Sequence, residues 1–271
     1  MVPSRRTSHA VRALLCAAVV TAAVSGDRAY AAAEYVAVVA AADGVVSVRP
    51  DGSDRWSAVK VGMGLAAGDT LRTGADATAL VILELGTAVR IERDTEVLVQ
   101  TLTVDTARRS TDLQLHLVRP GSVFTYANAV RPRSVKASVR TPTCIAAVRG
   151  TGLHVAVDDA GDTTVMVFEG RAVVRDFVRE SGLPTDKETM LADFLHEVTL
   201  RANQRTTVTA RGISRASRIP PETLARRTAE LAAMKATAAR QEAAWASSTV
   251  EERSVERARI RAEALAETGE R

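Results

Sequence analysis

Beyond residue 33 the side chains that could bind a metal, attack a carbonyl or hold a cofactor are few. They are His116, His154, His196, Cys144 and the run Gly62-Met63-Gly64-Leu65-Ala66-Ala67-Gly68. The run superficially has the glycines of a dinucleotide fingerprint. That chemistry needs a helix N-terminus to receive the pyrophosphate, and Asp69 followed by a strand pattern stands there instead. His116 and His154 fall on the outward faces of two predicted strands, and would share a metal only if those strands were neighbours. His196 adjoins Glu197 without the second histidine of a zinc protease helix. Cys144 lies in Thr143-Cys144-Ile145-Ala146-Ala147-Val148, an apolar setting that suits a small buried core residue better than a reactive thiol. No Gly-x-Ser-x-Gly elbow occurs, and Asp158-Asp159 reads as a turn. The expectation is a chain with no catalytic residue, no metal and no cofactor.

The elements that must carry these residues follow a period of two from Tyr35 to about Phe177. Val89 and Ile91 alternate with Arg90 and Glu92; Leu113, Leu115 and Leu117 with Gln114 and His116; Val135, Ala137 and Val139 with Lys136, Ser138 and Arg140. Such alternation marks half-buried strands. Leu80-Val81-Ile82-Leu83 is apolar on both faces, as a central strand would be. Pro50-Asp51-Gly52, Gly74-Ala75-Asp76, Leu85-Gly86-Thr87 and Asp158-Asp159-Ala160-Gly161 supply turns. The spacing predicts a mainly β domain over residues 34–209, an antiparallel, jelly-roll-like β-sandwich. Residues 178–197 interrupt it as a loop or short helix insertion. Val198-Thr199-Leu200 and Thr206-Thr207-Val208, around Asn203-Gln204, read as a closing hairpin.

Residues 210–271 change character and predict a charged, alanine-rich helical tail. Pro220 and Pro221 favour a helix start, and Leu224, Leu231, Ala238 and Trp245 recur seven residues apart. Ser248-Thr249-Val250-Glu251 has capping-box spacing and opens a second helix running to about Glu267. Arg227 and Gln241 occupy the second seam position that a two-stranded coiled coil keeps apolar. A solvated helix lightly docked on the β domain is therefore expected, with self-association through the tail as the alternative.

Composition narrows the function classes. The 271 residues are 46% hydrophobic but only 3% aromatic, so the core is built from many small aliphatic side chains. Residues 1–33 read as an export signal: Arg5, Arg6 and Arg12 precede the apolar run Ala13 to Val24, and Ala29-Tyr30-Ala31 offers a cleavage pattern. The other reading is a short retained anchor. The pI near 9.4 owes much to this segment. Residues 1–31 hold Arg5, Arg6, Arg12 and Arg28 against Asp27 alone; without them 32 basic and 31 acidic residues remain, so no nucleic acid is expected as a partner. The remainder holds no run long enough to span a membrane.

One succession of motifs resembles a known family. Gly68-Asp69 with Arg72-Thr73 is followed by Gly86 and Gly121, then by Thr141-Pro142 leading to Arg149-Gly150-Thr151, then by Glu169-Gly170 before a valine pair. This order is similar to the FecR domain of bacterial envelope proteins, over roughly Val36 to Val208. The resemblance implies a non-catalytic, periplasmic or secreted interaction or sensing module, with an envelope protein or cell-wall component as partner. A structural scaffold or self-associating spacer is the alternative. Turn and strand-edge roles suit the motif residues, since Gly68 permits an unusual φ and Asp69 can bond a nearby backbone N–H. The family's signalling members carry a cytoplasmic segment that touches a sigma factor. Only about a dozen residues precede the apolar run here, so direct sigma-factor contact is not expected.

Overall fold

The computed structural model describes residues 35–127, 134–149, 152–177 and 197–267. The expected export signal and the expected insertion, up to residue 196, lie outside the described residues, as do Gly150 and Thr151.

The chain begins with β1 (Ala37–Asp43), β2 (Val46–Arg49) and the short β3 (Ser57–Ala58) and β4 (Gly64–Leu65). There follow β5 (Thr70–Thr73), β6 (Thr78–Leu83), β7 (Ala88–Ile91), β8 (Glu96–Asp105), β9 (Ser110–Leu117) and β10 (Gly121–Tyr126). Next come β11 (Ser134–Arg140), β12 (Cys144–Arg149), β13 (Gly152–Val157), β14 (Thr163–Val167) and β15 (Arg171–Asp176). The last strands are β16 (Glu197–Arg201), β17 (Gln204–Thr209), β18 (Gly212–Ile213) and β19 (Ser217–Arg218), before helices α1 (Pro221–Ala244) and α2 (Val250–Ala266).

These strands form two layers. The first sheet has the order β18-β17-β14-β13-β10-β7-β6-β1-β4, with β19 also on β17; the second runs β16-β15-β12-β11-β9-β8-β5-β2-β3. Pairing is antiparallel apart from β9 with β11, which is parallel. The result is a jelly-roll-like, mainly β sandwich followed by a helical tail. The longer strands turn a buried face inward: along β9 half-exposed and buried residues alternate from Ser110 to Leu117. The interior is aliphatic, and a void of about 20 Å³ lined by residues such as Leu65, Ile91 and Leu115 is the space it leaves there.

Two expectations are corrected. β16 and β17 are not a hairpin: β16 pairs with β15 in the second sheet and β17 with β14 in the first, so Ala202-Asn203 carries the chain between layers. Leu200 and Val208 are both fully buried in the same core, and alternation alone does not record which layer a strand joins. Nor is the tail lightly docked. Leu231, Met234 and Ala238 of α1 are buried against Val38, Ile82, Ala88, Phe124 and Phe168 on the outer face of the first sheet, with Leu224 and Trp245 at the margin. The seven-residue stripe is thus the face that meets the sheet. From α2, Ala264 reaches the main core, with Ile260 and Leu265 packed beside it.

The capping box sits one residue later than the spacing predicted. Glu252 N–H donates to Thr249 Oγ1 at 3.1 Å, and Thr249 N–H to Glu252 Oε2 at 2.8 Å. Among the described residues no helix is long and apolar enough to cross a membrane.

Candidate functional site

Three acidic side chains of the sandwich lie under the helices, Asp69 and Glu84 buried and Glu92 half-buried, each met by arginine. Gly68 brings the first into place. Its φ is +89°, and a Cβ there would lie 2.5 Å from Asp51. The next residue, Asp69, is fully buried. Its Oδ2 accepts the Ala66 N–H at 2.9 Å, and Arg261 of α2 donates from Nη1 to Oδ2 at 2.6 Å and from Nη2 to Oδ1 at 2.7 Å. Arg261 also donates to the Gly64 carbonyl at 3.1 Å. This fork-on-carboxylate geometry is the strongest ion pairing a protein makes.

Glu84 is the second. Leu85 in the following turn has a φ of 67°, and Gly86 a φ of 78°, so the chain doubles back and leaves the Glu84 carboxylate facing α2. Arg253 donates to it from Nε at 2.9 Å and Nη2 at 2.8 Å, and Arg257 Nη2 at 2.8 Å. Arg257 Nη1 donates in addition to the Tyr35 carbonyl at 2.6 Å, which ties α2 to the approach to β1. Both guanidiniums lie over the Trp245 ring, at 5.4 and 4.6 Å.

Glu92, just after β7, is the third. Arg227 of α1 bonds both of its oxygens and Glu230 as well; Ser122 Oγ donates to Oε2 at 2.5 Å, and His154 Nε2 lies 3.1 Å from the same oxygen. Burial alone would raise the Glu92 pKa, but the bonds from His154, Arg227 and Ser122 outweigh it and hold the carboxyl far below its ordinary range. His154 is 3% exposed, with the Phe124 ring edge-on to it at 5.8 Å. Burial pushes its pKa down against the pull of Glu92, and Nε2, facing the Glu92 carboxylate, is the donor. Among the described residues its Nδ1 has no hydrogen-bond partner. A cleft of about 300 Å³, lined by Arg90, Arg93, Arg226 and Glu230 among others, opens beside Arg227.

Of the family-motif residues, Asp69 and Glu169 bond the helices, and the others lie in turns and strands of both sheets. Gly68 and Asp69 form the turn into β5, where exposed Arg72 stacks on Trp56 at 4.2 Å and Thr73 Oγ1 donates to the Glu92 carbonyl at 2.5 Å. Gly121 opens β10 beside Thr95. Thr141 and Pro142 sit in the β11–β12 turn, where Thr141 Oγ1 accepts the Cys144 N–H at 3.1 Å and the Thr163 hydroxyl at 2.8 Å. Arg149 ends β12. Glu169 and Gly170 make the β14–β15 turn, and Lys235 of α1 bonds both Glu169 oxygens.

The histidines and the cysteine do not converge. His116 is in the second sheet and His154 in the first, so their strands are not neighbours and the two share no metal. His154 faces outward from the sandwich, as alternation placed it, yet it is covered by α1. Cys144 is fully buried. The functional residues missed in the sequence are Glu84, Glu92 and the arginines that meet them. Their one signal was Arg253, Arg257 and Arg261 at steps of four, which puts all three on one helix face.

The arrangement can hold helices, since each buried carboxylate is engaged by cations. Against known proteins, residues 69–173 match the family model described as FecR protein. Two crystal structures of a candidate anti-sigma factor from Parabacteroides distasonis, at 1.65 and 2.50 Å resolution, are similar at 16% identity and a TM-score of 0.40. Each similarity covers 58% of this chain and 62% of that one, less than two thirds of the neighbour's length. No curated protein matches.

Proposed function

With residues 69–173 forming a FecR domain, we propose that this chain is a non-catalytic, exported interaction or sensing module of the bacterial cell envelope. The observation that carries the proposal is the seam. An apolar sheet face rimmed by Asp69, Glu84, Glu92 and Glu169 binds two helices through Arg261, Arg257, Arg253, Arg227 and Lys235. A face with an apolar centre and charged anchors at its margin is a recognition surface. This chain fills its own with its tail, and an envelope protein that meets the same rim competes with the tail.

The test is crosslinking of the full chain in envelope extract, beside a variant carrying Arg227→Ala and Arg257→Ala. One stoichiometric protein partner is expected, with crosslinks at the sheet rim and a higher yield from the variant. Recovery with insoluble wall material only would overturn the proposal in favour of the structural spacer.

A further inference from the structure

The outer face of the second sheet differs from that of the first. The tail helices pack on the first sheet and at the short β3 and β4 edge, so the broad middle of the second faces solvent. On β12, β15 and β16, at one edge of the second sheet, Arg149, Arg171 and Arg201 share one register row. Neighbouring strands are about 4.8 Å apart, and like charges directly opposite one another destabilise a sheet. Arg171 and Arg201 are exposed, and their side chains have no carboxylate partner among the described residues.

The row belongs to a wider charge imbalance. Lys136 and Arg140 project from β11 and Arg72 from β5, all exposed. The acidic residues on the same strands are mostly engaged: Glu96 with Arg119 at 3.2 Å, Asp105 with Arg108 at 3.7 Å and Glu197 with Arg175 at 2.7 Å. Beyond residue 31 the chain has almost equal numbers of basic and acidic residues, so this excess is local. Glu84, Glu92 and Glu169 beside the first sheet are neutralised by the tail, and Arg171, Arg201, Lys136 and Arg140 of the second are exposed.

We infer that this face binds an anionic polysaccharide with carboxylates on successive sugars, laid across the strands. Guanidinium forks match carboxylates two bonds at a time, and a row of them at strand spacing suits a repeating polyanion. Single-stranded nucleic acid would be held by open aromatic platforms for its bases. Here Trp56 lies under Arg72, and the Phe177 ring under Arg140 at 5.1 Å. A lipid surface would need exposed apolar side chains among the cations. The exposed large aliphatics Val45, Val61, Val118 and Val255 all lie outside the strands of this sheet.

The experiment titrates the full chain with polygalacturonate, and separately with inorganic polyphosphate, a thymidine oligonucleotide and phosphatidylglycerol vesicles. Polygalacturonate is expected to bind most tightly, with an affinity that falls as salt rises. Arg171→Glu with Arg201→Glu should weaken it by at least about tenfold. Arg171→Gln with Arg201→Gln gives a milder loss should reversal disturb folding, and Arg240→Ala on the exposed face of α1 leaves binding unchanged. Equal binding by the glutamine and parent chains overturns the inference. So does tighter binding of polyphosphate, oligonucleotide or vesicles.

Discussion

Arg261 and Asp69 are 192 residues apart in sequence and meet in two parallel hydrogen bonds, both groups buried. Removing one partner of such a pair strands the other charge away from water, at a cost of about 3–5 kcal/mol. Arg261→Ala should therefore lower the melting temperature by roughly 10 °C, taking two to four degrees per kcal/mol for a chain of this size. Arg261→Lys keeps the charge but loses the fork, and falls between. Thermal unfolding followed by circular dichroism measures both. A shift of only a degree or two in Arg261→Ala would mean that the pair does not anchor α2.

Gly152 lies directly beneath Leu231, the most deeply buried leucine of α1. A Cβ at residue 152 would overlap the Leu231 side chain, so Gly152→Ala should lift the helix and destabilise the fold. Leu231→Ala alone opens a cavity costing about 2–5 kcal/mol. In the double variant the new methyl occupies part of that cavity, and the combined loss should be clearly smaller than the sum. Urea unfolding of the four proteins measures the coupling, and strict additivity would place Leu231 elsewhere.

How much of this was legible depends on what each residue faces. The alternation at Leu113, Leu115 and Leu117 reveals a strand because one side of it is buried and the other is not. It reveals nothing about which layer β16 or β17 joins, since Leu200 and Val208 meet the same core from opposite sheets. The stripe Leu224, Leu231, Ala238 and Trp245 showed a helix with one sticky face, but its partners are scattered far upstream, from Val38 to Phe168. Arg227 looked like a flaw in a coiled-coil seam; it is the residue that bonds Glu92. The charges of α2 resemble a solvated face until Asp69 and Glu84, far off in sequence, come up against them.

His154 and Glu92 make stability depend on pH, with a sign that follows from their shifts. The native His154 pKa lies below its ordinary value of about 6.5, so on acidification the unfolded chain takes up a proton that the native chain refuses. Stability is complete above that value and declines as pH falls through it. His116, lowered by partial burial and by Arg140, adds a contribution of the same sign. Glu92, held low by its donors, adds a second loss once the pH drops below the ordinary carboxylate value of about 4.3. Urea midpoints taken at about pH 7, 5.5 and 4 should fall in that order. His154→Gln should flatten the first interval, and an unchanged slope in that variant would remove His154 from the account.

Cys144 is the last buried group whose chemistry can be read directly. Burial pushes its thiol up to about 11, against the hydrogen bonds from Thr141 and Thr163, and its Sγ lies 3.4 Å from Thr141 Oγ1. Only the thiolate reacts with a disulfide reagent, so at pH 8 the native thiol is protected both by its protonation and by lack of access. In a Cys16→Ser background, where Cys144 is the only thiol, labelling with a chromogenic disulfide should proceed only through global unfolding, at a rate set by the population of the open chain. Adding Arg261→Ala should then accelerate it, because the same loss of stability that lowers the melting temperature raises the population of the open chain. Fast labelling of the native protein, unaffected by Arg261→Ala, would show that the β11–β12 turn opens independently of the helical clamp.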